Sequence, residues 1–246
     1  MTRSTRILSA VHVGANAVLL YLGYYWLGIG ESRTSSLLWS AVVALVLVCF
    51  SCVLHGATYA YFAGQGSDLR GAFRAALRNL LAILVALGVV LVLYYLLSRW
   101  ADYSQQPAFN VSSWLTLKFR KPVRPNSVFR IFSAVTWVIG WVVLPAILLP
   151  WLASVASRGW AGFRDRIAKT RRYWIQAPLL LVCALWVPFR LIDWVPHVST
   201  FTMEMVSLIV RMLVAYLLFV AAWLVLAFVT SAGKPVLSQP STAGRL

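Results

Sequence analysis

Residues 201–230 read FTMEMVSLIVRMLVAYLLFVAAWLVLAFVT. From Met212 to Thr230 there are nineteen residues without a charge. As a helix rising 1.5 Å per residue they cover about 28 Å, close to the ~30 Å hydrocarbon core of a bilayer. This stretch is read as a membrane-spanning helix. Five others of similar character precede it, at 7–29, 37–62, 79–98, 129–152 and 174–194. Composition agrees: 61% of the 246 residues are hydrophobic, 11% are charged, and mean hydropathy is +0.80. A soluble domain carries about 25% charged residues. Lipid-exposed backbone must satisfy its own hydrogen bonds, so the runs are helices. Alternation over about ten residues, the mark of a membrane barrel, is absent. The expected fold is all-α, a bundle of about six spans in one membrane domain, residues 1–233. Residues 234–246 form a short polar tail expected to be disordered.

The N-terminal MTRSTR followed by ILSAVHVGANAVLLYLGYYWLG resembles a signal peptide only superficially. Its apolar part is too long and lacks a small-x-small cleavage site, so it reads as the first span.

The net charge is +16. Its basic residues lie between spans, where topology and attraction to anionic headgroups account for them without nucleic acid. With the N-terminus inside, thirteen Lys and Arg face the cytoplasm and eight face the other side. The positive-inside rule therefore predicts both termini in the cytoplasm of an inner or plasma membrane. The 99–130 connection opposes this, since Arg99, Lys118, Arg120, Lys121, Arg124 and Arg130 fall on the outer side.

Within that connection, Val111, Trp114, Leu115 and Phe119 recur at helical spacing beside basic residues, as in an interfacial helix. Pro122 and Pro125 would end it. GSDLRGAFRAALRN before the third span and RGWAGFRDRIAKTRRYW before the fifth read similarly. Their likeness suggests a weak internal duplication, though similar basic–apolar junctions explain it more simply. Tyr24, Tyr25, Trp26, Trp39, Tyr94, Tyr95, Trp100, Tyr173 and Trp174 mark span ends as an aromatic belt. Pro145 should kink the fourth span. The fifth has an apolar core of only thirteen residues, Ala177–Phe189. At about 20 Å this is short for a span, and short proline-interrupted spans occur at transporter sites. The competing account lets Arg190 snorkel while the helix continues to Trp194.

Chemistry-bearing residues are few. Glu204 and Arg211 lie in the last span, with Arg190 and Asp193 in the turn before it. An ionisable residue inside a span is a functional-site candidate. The uncharged run after Arg211 favours a second account, in which these four form an interfacial ion-pair network closing the last hairpin. Cys49, Cys52 and His55 share one helical stripe. A thiol relay would need a thiolate, which hydrocarbon disfavours, and a metal site would lack a fourth ligand, so buried packing is the plainer reading. His12 and Asn16, four apart, suit hydrogen bonding between helices. His197 falls in a loop and reads as solvated. KFRKPVRP at 118–125 lacks the spacing and histidines of membrane lipid phosphatases, and no phosphate-binding GxxxxGK[ST] loop is present. No metal, cofactor or enzymatic signature emerges. The expected function is that of a non-catalytic accessory or scaffold subunit, its basic loops contacting anionic lipid or a protein partner. A small transporter with a site at Arg190, Asp193, Glu204 and Arg211 is the alternative, and a membrane enzyme comes third.

Overall fold

Long apolar runs free of internal glycine–proline breaks become continuous helices once their backbone can bond to itself. The computed structural model describes residues 3–30, 32–64, 68–165, 169–196 and 200–231. His197 and the 234–246 tail lie outside the described residues. The helices are α1 (Arg3–Leu27), α2 (Thr34–Ala63), α3 (Leu69–Arg78), α4 (Leu80–Tyr103), α5 (Gln105–Phe119), α6 (Pro125–Val138), α7 (Leu144–Arg158), α8 (Arg171–Asp193) and α9 (Phe201–Ser231). A π-helical turn, Ile139–Val143, joins α6 to α7, and a 3-10 turn, Gly159–Arg164, follows α7. No strand occurs among the described residues. Six stretches are long and apolar enough to cross a membrane: α1, α2, α4, Pro125–Arg164, α8 and α9. The protein is an all-α helical bundle.

Nearly half of the buried apolar residues are alanines. Small side chains let helix backbones approach closely, which matters where lipid is as apolar as leucine. Ala82 and Ala86 of α4, Ala153 and Ala156 of α7, Ala177 of α8 and Ala227 of α9 share one core cluster with Cys52 and Tyr59 of α2. These positions lie near the starts of α4 and α8 and the ends of α2, α7 and α9. The core is thus concentrated at the end of the bundle where α1 begins and α9 ends. Elsewhere the spans face outward, and only 6 to 22% of each most apolar stretch is buried.

α3 caps the core end. Asp68 accepts a hydrogen bond from the Gly71 amide at 2.9 Å and so starts the helix. Ala72 and Ala76 face inward, while Arg70, Arg74 and Arg78 form an exposed stripe. α5 is a helix ended by Arg120 in the left-handed region, and α6 begins on Pro125. The third basic stretch, RGWAGFRDRIAKTRRYW, contains no interfacial α-helix among its described residues. Gly159 takes φ +62° and terminates α7, and the chain then makes only the 3-10 turn. Asn79 fixes this corner by donating to the Ala156 carbonyl at 3.0 Å. At the opposite end the α1–α2 hairpin is closed by indoles. Trp26 Nε1 donates to Ser40 Oγ at 2.9 Å, and Trp39 Nε1 donates to the Tyr25 hydroxyl at 3.0 Å.

Proline shapes the fourth span without breaking it. In the π turn the Leu144 amide bonds to the Ile139 carbonyl, five residues back. The next such bond would run from residue 145 to Gly140, but Pro145 has no N–H. The Tyr94 hydroxyl of α4 donates to that Gly140 carbonyl instead, at 2.7 Å. Pro150 similarly frees the Ala146 carbonyl, which accepts from the Tyr173 hydroxyl of α8 at 2.7 Å. The fifth span is not interrupted. α8 runs unbroken through Pro178 and Pro188 to Asp193, so the short-span expectation fails and the helix continues past Arg190.

Candidate functional site

The four charged residues of the last hairpin do not come together as ion pairs. Arg190, Asp193 and Glu204 are exposed, and Arg211 alone is buried, with 7% of its surface accessible. Among the described residues the one ion pair joins Arg158 to Asp165, elsewhere in the chain. Arg211 instead donates to main-chain carbonyls. Its Nε reaches Ser207 at 3.2 Å, and one terminal nitrogen reaches Ile192 at 2.8 Å and also Trp194. The last carbonyls of a helix have no partner within it and carry the negative end of the helix dipole. A guanidinium with five donors is suited to both demands. Arg211 therefore closes the C-terminus of α8 from the neighbouring helix. Arg190 places its guanidinium carbon 5.4 Å from the centre of the Trp186 ring. A recess of about 300 Å³ beside Arg211 is lined by Glu204, Ser207 and Pro196 as well. Arg190 and Asp193 do not border it.

A second polar cluster sits where α1, α2 and α9 meet. His12 is fully buried. Its Nε2 lies 2.6 Å from the Thr58 hydroxyl, which donates its own proton to the Leu54 carbonyl at 2.8 Å. Thr58 has a single proton, so His12 Nε2 is the donor of the pair. Asn16 then donates to His12 Nδ1 at 3.2 Å and to the His12 carbonyl at 2.8 Å. His12 is thereby held as the neutral Nε2–H tautomer, bonded both within α1 and across to α2. The His55 ring stands 5.7 Å from that of His12 and 4.8 Å, edge-on, from Trp223 of α9. Tyr59 also meets Trp223 edge-on at 5.8 Å. His55 Nδ1 and Trp223 Nε1 are enclosed with no hydrogen-bond partner.

Cys49 and Cys52 are free thiols, the first half-buried and the second buried. His55 turns toward His12 and Trp223. No group of three or more His, Cys, Asp or Glu among the described residues is placed to hold a metal.

One face of this cluster opens to the bilayer side. A cleft of about 600 Å³ runs along the α1–α2 seam from Trp26 and Leu27 down to Asn16, Ser51 and His55. Ser51 escaped the sequence reading, although its i, i+4 spacing from His55 and i, i+7 spacing to Thr58 mark a polar stripe on α2. Thr58 and Trp223 were missed too; only the folded partners give them roles.

The arrangement defines an integral membrane protein in which a buried histidine, His12, stands beside the half-buried His55. No family model, no curated protein and no solved structure matches the chain.

Proposed function

We propose that the protein is a non-catalytic accessory or scaffold subunit of a cytoplasmic-type membrane, with both termini inside. The observation that carries this reading is the outward face of α8. Ile175, Leu179, Val182, Trp186 and Phe189 are exposed by 38 to 63%. Their 4-3-4-3 spacing is the seam that a partner helix fills by knobs-into-holes packing. Only 6% of the apolar stretch of α8 is buried within the chain. The arginine stripe of α3, at the end where the termini lie, supports contact with anionic headgroups on the cytoplasmic side.

A photoreactive residue at Val182, with a lipid-facing control at Leu91, tests the reading in native membranes. The expected product is a discrete protein adduct at Val182 alone, to a partner that copurifies in fixed stoichiometry. Lipid adducts at both positions would sink it.

A transporter reading rests on the recess beside Arg211, which Glu204 and Ser207 also line. It is the second choice, because three carbonyls already engage that guanidinium. Substrate-dependent protection of a cysteine at position 204 would favour it over the scaffold.

A further inference from the structure

The α1–α2 cleft combines features that a gap between lipid-facing helices does not require. Its volume, about 600 Å³, falls in the range of small-molecule sites. Its walls are apolar and include Leu19, Leu20 and Leu47. At its deep end Asn16, Ser51 and His55 bring polar atoms together from two helices, while Tyr24 and Trp26 line the other end. Asn16 spends both amide protons on His12, so its Oδ1 is left as an acceptor. Ser51 makes no side-chain hydrogen bond among the described residues, and its hydroxyl can donate or accept. His55 encloses Nδ1, whereas Nε2 is not enclosed and has no partner among the described residues. With its proton on Nε2, His55 presents an N–H donor to the cleft. The deep end thus offers a donor, an acceptor and a hydroxyl of either sense.

Among the described residues no Asp, Glu, Lys or Arg borders the cleft, which suits a neutral occupant. The polar end of that occupant enters first. From Leu27 to Asn16 the cleft follows eleven residues of α1, about 16 Å of helix. A phospholipid keeps its headgroup at the interface and would lay only hydrocarbon against Asn16, Ser51 and His55. Leaving such groups unpaired in an apolar setting costs roughly 1–3 kcal/mol each. Entry is open from the side, since Leu20, Tyr24 and Leu27 are 64, 79 and 77% exposed. We propose that the cleft between α1 and α2 binds a neutral, membrane-dissolved ligand with a ring-carbonyl head, the chemistry of an isoprenoid quinone. The head carbonyl accepts hydrogen bonds from His55 and Ser51, and the tail leaves along Leu20 and Leu27. Binding requires no electron transfer.

The test uses the full chain in phosphatidylcholine nanodiscs, with decylubiquinone as the probe and a photoreactive quinone for mapping. A Cβ at Gly23, on the cleft wall, meets no atom within 4 Å. Gly23→Leu therefore plugs the cleft while leaving the packing intact, and its melting temperature is the check on folding. Saturable binding is expected, with adducts on α1 and α2 near Asn16 and Ser51. Gly23→Leu should abolish binding, and His55→Gln, which displaces the donor, should weaken it about tenfold, or 1.4 kcal/mol. Non-saturable uptake, unchanged binding in a folded Gly23→Leu protein, or failure of decylubiquinone to displace a spin-labelled phospholipid from the cleft would each overturn the proposal.

Discussion

The Tyr173 hydroxyl of α8 donates a 2.7 Å hydrogen bond to the Ala146 carbonyl of α7, four residues before Pro150. That carbonyl is the one a residue-150 amide would otherwise occupy in an α-helix. Tyr94 does the same for Gly140, five residues before Pro145 and within the π turn. Each proline in the fourth span is thus matched by a tyrosine from a neighbouring span. In hydrocarbon no water can take over this role.

Tyr173→Phe should therefore destabilise the bundle by about 1–3 kcal/mol, the cost of an unpaired buried carbonyl. Pro150→Ala restores a local donor, so it should recover stability in the Tyr173→Phe background and gain less in the wild type. A double-mutant cycle by denaturant unfolding in detergent measures the coupling. Additive effects would mean that the hydrogen bond and the proline are unrelated.

Arg211 is predicted to hold the last hairpin by its contacts with the end of α8. Arg211→Ala should cost roughly 3 kcal/mol, as expected when hydrogen bonds to a charged group are lost. Arg211→Lys keeps the charge but not the fork, and should recover only part of that. Glu204→Gln, at an exposed position, should stay within about 0.5 kcal/mol of wild type. Protein abundance and thermal stability read these outcomes. A wild-type melting point for Arg211→Ala would remove the capping role.

Thr58→Val replaces the acceptor of the buried His12 Nε2–H with a methyl group. The orphaned donor should cost about 1–3 kcal/mol. Thr58→Ser keeps the hydroxyl and should remain close to wild type. If Val and Ser behave alike at this position, packing rather than the histidine bond explains its burial.

The α3 stripe should set lipid preference. Replacing Arg70, Arg74 and Arg78 with Gln removes three exposed charges at about 1 kcal/mol each near an anionic surface. Native mass spectrometry should show less phosphatidylglycerol retained by the triple variant, with phosphatidylcholine unchanged. Equal retention of both lipids by wild type and variant would end the idea.

Composition and run length were enough to read the fold class and the approximate position of every span, because a hydrocarbon core of fixed thickness demands a fixed length of apolar helix. α2, read as 37–62, is Thr34–Ala63, and α9, read as 205–230, is Phe201–Ser231. Local pattern also exposed the basic helix at α3. It left open whether the fifth span stops short near Phe189 or continues to Trp194, and α8 continues through Pro178 and Pro188 to Asp193. It grouped Arg211 with Glu204, Asp193 and Arg190 by proximity in the chain. Which group an arginine meets depends on how two helices dock, and here the docking presents it with bare carbonyls.

The stripe Cys49–Cys52–His55 was visible in the sequence, but its partner was not. His55 acquires its surroundings from His12 of α1, 43 residues before it, and from Trp223 of α9, 168 residues after it. The sequence by itself determined what the bilayer tests on each helix alone: length, apolarity, basic ends and aromatic margins. Only the tertiary structure decided which polar groups face one another, which carbonyl each tyrosine serves and where a cleft remains between α1 and α2. The first set is a property of each helix against one solvent; the second depends on contacts between helices far apart in sequence, and no single segment encodes it.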